Sequence, residues 1–219
     1  MVAVASLFSQ LLDLFPRREF EAAVRATKAD RYAKKFRCWD QFVGMLFCQM
    51  AQAHSLREIC GGLACCLGKL RHLGVTKALN KSTLAYANAH RPWELYKTVF
   101  DQLLPKCQVL ARGKKKFRFK NKLYSLDSTV IDLCLSMFDW AKFRQTKGAI
   151  KLHLLLDHEG YLPTFGLITD GKVHDVRVAQ TLQFTPGSVV VMDRGYVDYE
   201  LFGRWTKDNV SFVTRLKDN

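Results

Sequence analysis

Two aspartates stand at positions where acids do chemistry. Asp127 sits inside the alternating stretch "YSLDSTVIDLCL", where Ser125, Asp127, Thr129 and Ile131 share one face of a strand and Leu126 and Val130 fill the other. Asp193 ends the apolar run "SVVVM", just before Gly195 lets the backbone turn. An acid at the carboxyl end of a sheet strand lies where α/β proteins place their sites. Two strand-borne carboxylates converging from distant parts of a chain suit a hard divalent ion such as Mg2+, which prefers oxygen ligands. Two such ions roughly 3.5–4 Å apart activate a water or 3′-hydroxyl and stabilise the leaving oxygen in phosphoryl transfer. A second reading of Asp193 stands beside this one: a helix N-cap, with Arg194 simply exposed.

These positions need a sheet, and the sequence supplies one after Leu123. "YSLDSTVIDLCL" is followed by "AIKLHLLLD" and "LPTFGLITD" flanking the turn "HEGY", then by "SVVVMD" and "SFVTRL", with helical pieces "HDVRVAQTL" and "DYELFGRWTKDN" between. The predicted order is β, β, β, α, β, α, β, a mixed sheet covered by helices with its later strands buried. From Ser6 to about Leu104 the apolar residues instead recur at helical spacing, as in "FSQLLDLF", "WDQFVGMLFCQMA" and "ELYKTVFDQLL", which predicts a helical bundle. The fold class expected is α/β, or α+β over the whole chain.

Charge separates the same two regions. The net charge is +14, and Met1–Leu123 holds 23 Lys/Arg against 8 Asp/Glu while Tyr124–Asn219 holds 11 against 12. A basic excess confined to this first part predicts a polyanionic partner for it, since each neutralised phosphate releases counterions. Within it, "HSLREICGGLACC" opens with Ser55 and Glu58 at capping-box spacing, and "NKSTLAYANAH" follows after a linker. Helix, turn and polar helix is the layout of a helix-turn-helix reader. The second helix offers Lys81, Ser82, Thr83, Asn88 and Arg91, with Tyr86 and His90, to phosphates or base edges; an amphipathic helix with a wet face explains it equally. The stretch "ARGKKKFRFKNK" then interleaves Lys114, Lys115, Lys116, Arg118 and Lys120 with two phenylalanines, as suits a backbone-tracking arm, or else a solvated linker.

Other function classes recede. The seven cysteines lack paired zinc spacing, and Cys60, Cys65 and Cys66 read as small reduced hydrophobes. No apolar run approaches the roughly 18 residues of a membrane span, and the N-terminus does not read as a secretory signal. The expectation is a cytoplasmic protein without a membrane partner. No internal repeat is present.

The motifs "YSLDSTVIDL", "KGAIKLHLLLDHEGYLP", "GKVHDVRVA", "VVVMDRGYVDYELF" and "FVTRLKDN", with the N-terminal "FSQLLDLFPRREFEAAVR" and "RCWDQFVGMLFCQMAQAHSLREI", resemble the DDE transposases of bacterial insertion sequences, specifically the insertion sequence four family. The resemblance runs over nearly the whole chain. It implies a ribonuclease-H-like sheet with the first aspartate on its first strand and the second on its fourth, hence Asp127 and Asp193 as catalytic residues and ligands of Mg2+ (or Mn2+). It implies binding of double-stranded DNA at transposon ends, nicking and strand transfer into target DNA, a homodimer on DNA, and a nucleoid-associated location in the cytoplasm. The organisation expected is a helical DNA-binding domain over 1–110, a basic linker over 111–122 and a partial catalytic domain over 123–219. Lys151 and His153 match a recurrent "KLH", and His174 and Asp175 a recurrent "HD", with supporting roles expected near DNA or the sheet. The family's third carboxylate, a glutamate in a spacing of Tyr, two residues, Arg, three residues, Glu, six residues, Lys, has no counterpart here, and Glu200 reads as a first-turn surface residue. On this reading the chain is C-terminally truncated. The alternative is a catalytically incomplete DNA-binding fragment or inactive subunit.

Overall fold

The computed structural model describes residues 7–31, 33–66, 70–111, 120–133, 142–144 and 147–215. Two compact units divide between Leu103 and Leu104, inside a helix whose Pro105 removes one internal hydrogen bond of that helix.

The first unit is helical. It contains α1 (Leu7–Leu12), α2 (Arg17–Thr27), α3 (Cys38–Met50), α4 (Leu56–Ala64), a short 3-10 turn (Leu70–Leu73), α5 (Lys81–His90) and the start of α6 (Glu94–Ala111). Local chemistry sets the ends. The Ser55 hydroxyl accepts from the Glu58 N–H while the Glu58 carboxylate accepts from the His54 N–H, so the expected box forms one residue wider than the usual reciprocal pair. Asn80 caps α5 by accepting from the Ser82 and Thr83 amides. The core gathers Phe20, Trp39, Phe42, Val43, Ile59, Leu63, Leu84 and Leu95. Trp39 anchors it twice: its indole N–H donates to the Leu73 carbonyl at 2.8 Å, and Phe20 meets its face edge-on at 5.1 Å.

One expectation fails here. A helix-turn-helix joins its helices by three or four residues, but α4 ends at Ala64 and α5 begins at Lys81, with the 3-10 turn between them. Leu70, Leu73, Val75 and Leu79 bury themselves along this connection, so it is a structural segment of the core rather than a tight turn.

The second unit is a six-stranded mixed sheet. Its strands are β1 (Leu123–Leu133), β2 (Lys142–Arg144), β3 (Lys147–Asp157), β4 (Leu162–Asp170), β5 (Val189–Met192) and β6 (Ser211–Val213), with α7 (Asp175–Ala179) and α8 (Tyr199–Lys207). β1, β3 and β4 form an antiparallel meander, whereas β5 lies parallel to β1 and β6 parallel to β5. Apart from β2, the spatial order β4, β3, β1, β5, β6 is a three-strand meander extended by two parallel strands, the ribonuclease-H-like arrangement. The sequence pattern missed β2, which has three residues and pairs Lys142 with Gly148 at the start of β3. The turn "HEGY" falls where expected, and Pro163, which has no N–H to donate, sits beside a register shift in the β3–β4 ladder.

One face of this sheet is covered. Leu126, Leu155, Val190 and Met192 pack with Ala179, Tyr196, Leu201, Phe202 and Trp205 from α7, the turn after β5, and α8. The expected two-sided burial of the later strands does not occur among the described residues: Val190 and Met192 are buried, while Val189 and Val191 are only partly covered. The uncovered face also carries Ile131, Leu154 and Ile168, the last 61% exposed. Val130, on the other face of β1, is 46% exposed, so the covering helices reach only the first half of that strand.

Candidate active site

Backbone register brings the two aspartates together. Leu126 of β1 lies opposite Met192 of the parallel β5, so Asp127 is the next residue along β1 and Asp193 the first residue beyond β5, at neighbouring positions of the strand pair. Leu126 and Met192 point into the core, and both aspartates are exposed on the opposite side. Asp127 Oδ1 accepts from the Ser128 N–H at 2.8 Å, and Asp193 Oδ1 accepts from the Gly195 N–H at 2.9 Å. The second oxygen of each carboxylate carries no hydrogen bond among the described residues. Two exposed carboxylates with a free oxygen apiece suit Mg2+, which keeps several waters and takes one or two carboxylates together with substrate phosphates. No group of three or more His, Cys, Asp or Glu that could hold a metal ion occurs among the described residues.

The capping reading of Asp193 describes the structure, and it leaves the residue exposed. Its side chain caps the 3-10 turn Arg194–Tyr196 through Gly195, and that bond orients the carboxylate beside Asp127. The Thr214 hydroxyl donates to the Asp193 carbonyl at 3.0 Å and fixes the same backbone from the far side. A Cβ on Gly195 would stand 3.0 Å from Asp193 Oδ1, so the glycine keeps the turn close to the acid.

Behind the pair lies a polar network that the sequence motifs marked but did not connect. Lys151 Nζ of β3 donates to the Val173 carbonyl at 2.9 Å and pairs with Asp175 Oδ1 at 3.1 Å. His153 is fully buried, shares a 2.8 Å hydrogen bond between Nε2 and the Thr169 hydroxyl, and turns Nδ1 toward Asp175 at 3.6 Å. Burial holds the His153 imidazole below its ordinary pKa, and Lys151 adds to the effect while Asp175 opposes it. Burial likewise pushes the Tyr196 phenol up, reinforced by the charges of Asp175, Asp127 and Asp193 and countered by Ser128. The motifs "KLH", "HD" and "DRGY" therefore meet in one place. Tyr196 and Ser128 were missed; the period-2 pattern places Ser128 on the covered face, but only the fold brings Tyr196 under it. Glu200 is exposed in the first turn of α8, as expected, and His174 precedes α7 without capping it.

The candidate DNA contacts divide. Lys81, Ser82 and Thr83 are exposed at the start of α5, and Lys120 is exposed ahead of β1. Lys114, Lys115, Lys116 and Arg118 lie outside the described residues. Arg91 turns inward: its guanidinium donates to Asp30, to the Gln41 side chain and to the Phe36 and Arg37 carbonyls, and lies over the Phe36 ring. Asn88 accepts from the Gln41 amide at 2.7 Å. Both residues thus serve the bundle.

Residues 4–76 match the model of a domain of unknown function, DUF4372, and residues 118–219 match the model of the transposase DDE domain. A probable transposase for insertion sequence element IS5377 from Geobacillus stearothermophilus is 29% identical over 138 residues, which are 63% of this chain and 36% of that protein. The chain spans about a third of the length of this curated relative. Among solved structures, the cryo-EM synaptic complex of piggyBac transposase with hairpin DNA aligns with a TM-score of 0.47 at 10% identity, covering 100% of this chain and 53% of that one. A transposase DDE domain implies a divalent metal cation, and the exposed aspartate pair fits one. Residues 118–219 are thus similar to a transposase DDE domain, and the curated relative supports a likeness to the DDE transposases of bacterial insertion sequences.

Proposed function

We propose that this chain acts on double-stranded DNA at the ends of an insertion sequence of the insertion sequence four type, with Asp127 and Asp193 as the catalytic carboxylates. The observation that carries this reading is the β1–β5 register, which sets the exposed Asp127 within β1 level with the exposed Asp193 that directly follows β5. Mg2+ or Mn2+, when bound by the pair, supplies activation of the attacking oxygen and stabilisation of the leaving oxygen. The chain's own part is to hold two carboxylates at fixed spacing. Backbone amides of Ser128 and Gly195 orient them, and the bare sheet face beside Asp127 leaves room for the DNA backbone.

The helical region 1–110 serves DNA binding on this reading, joined through the basic segment 111–122 to the catalytic region 123–219. Lys81, Ser82, Thr83 and Lys120 are the exposed contacts, and Lys114, Lys115, Lys116 and Arg118 extend them. Phosphate contacts of this kind steer and position without reading sequence. A homodimer on DNA and a nucleoid-associated, cytoplasmic location belong to the same proposal.

The test is a nicking assay with the whole chain on a supercoiled plasmid carrying the terminal inverted repeats. Mg2+-dependent nicking that disappears in Asp127→Asn is expected. End binding without nicking would overturn autonomous catalysis and favour an inactive subunit that occupies transposon ends.

A further inference from the structure

The Lys151–Asp175 pair, for which the sequence motifs suggest only a general supporting role, approaches Asp193 directly. Asp175 Oδ2 stands 3.5 Å from the point that a Cβ on Gly195 would occupy, and Asp193 Oδ1 stands 3.0 Å from that same point. The two carboxylates are therefore no more than 6.5 Å apart at these oxygens, the sum of the two distances. Like charges this close repel unless a cation intervenes. Lys151 is that cation: it meets Asp175 Oδ1 at 3.1 Å with both side chains largely shielded, and it also holds the Val173 carbonyl ahead of α7. One ammonium thus ties the start of α7 to β3, and the start of α7 abuts the turn that carries Asp193.

We propose that Lys151 and Asp175 are positioning residues forming a charge-compensated strut, which fixes the Asp193–Tyr196 turn and sets the charge beside the Asp127/Asp193 pair. Its consequence for cation binding rests on the reading of that pair as a metal site; its consequence for the turn does not. Removing Lys151 exposes an uncompensated carboxylate near the pair and raises the local negative charge. Removing the Asp175 charge leaves an uncompensated ammonium there. The two substitutions therefore shift cation affinity in opposite directions, which a purely structural role does not do. One unit charge at about 6–9 Å from a divalent ion changes affinity roughly two- to three-fold in a water-like dielectric with physiological screening.

The experiment titrates the whole chain with Mn2+, followed by electron paramagnetic resonance, for the parent, Lys151→Met, Asp175→Asn and the double variant. Alongside it, amide hydrogen exchange at Gly195 is read without metal. Lys151→Met is expected to bind Mn2+ about two- to three-fold more tightly and Asp175→Asn as much more weakly, with the double variant returning toward the parent. Gly195 exchange is expected to quicken in both single variants, because its N–H reports the bond to Asp193 Oδ1. Shifts of the same sign, or none, overturn the charge-setting role. Unchanged Gly195 exchange overturns the strut. A parent chain that binds no Mn2+ defeats the metal reading of Asp127 and Asp193, and the exchange result then decides the strut alone.

Discussion

Replacing Arg91 with alanine separates a DNA contact from a structural clamp. The guanidinium makes an ion pair with Asp30 at 3.3 Å, hydrogen bonds to Gln41 Oε1 at 3.0 Å and the Arg37 carbonyl at 3.1 Å, and another to the Phe36 carbonyl. The side chain is only 10% exposed, so these contacts are poorly replaced by water. Each is worth about 1 kcal/mol net, with more for the bond to a charged partner, and the stack on Phe36 adds about 0.5–1 kcal/mol. Allowing for non-additivity, the loss comes to about 3 kcal/mol, since alanine also strands the Asp30 carboxylate. For a domain of roughly 100 residues that lowers the melting temperature by more than about 10 °C. Lysine does not rescue it, because a single ammonium cannot serve four acceptors spread around a planar fork. The assay is a thermal melt paired with duplex-DNA binding measured below the melting point. Arg91→Ala is expected to melt early yet bind DNA within about two-fold of the parent. An unchanged melt with a ten-fold loss of DNA affinity would refute the inward assignment and return Arg91 to the DNA surface.

Asp127→Asn and Asp193→Asn are expected to leave the melt within about 0.5 kcal/mol of the parent, since both side chains are exposed, while abolishing metal-dependent nicking. Gly160 takes φ of +91°, and a Cβ there would lie 2.3 Å from the Ala111 Cβ. Gly160→Ala should therefore cost about 1–3 kcal/mol in urea denaturation. His153 is held below its ordinary value of 6.5 in the folded state. The unfolded chain thus takes up its proton first, so stability is complete above about pH 6.5 and falls as the pH drops below it. Melts of the sheet unit at pH 7.5 and 5.5 check this, and His153→Gln should flatten the dependence.

Much of this architecture is legible in the sequence because local rules wrote it. The change from helical to alternating period marks the two regions, the Ser55–Glu58 spacing marks the start of α4, and "HEGY" marks a hairpin. Asp127 and Asp193 were recognisable because each interrupts an otherwise strand-like pattern at a position exposed to chemistry. What stayed hidden depends on partners distant in the chain. Arg91 looks like a DNA contact until its acceptor Asp30, 61 residues away, is placed beside it. The Lys151–Asp175 pair spans 24 residues and three elements, so each half reads locally as an ordinary polar residue. β2 was too short to show a period. The linker before α5 read as a turn because its one regular piece, the 3-10 turn Leu70–Leu73, is too short to show a period.

The central claim is that Asp127 and Asp193 form one cation site. A Mn2+ titration of the whole chain with Asp127→Asn, Asp193→Asn and the double variant tests it most directly. If the two share an ion, either single substitution removes most of the affinity, and the double variant is little worse than either alone. Two independent losses that add, or single variants that still bind Mn2+ like the parent, would contradict it.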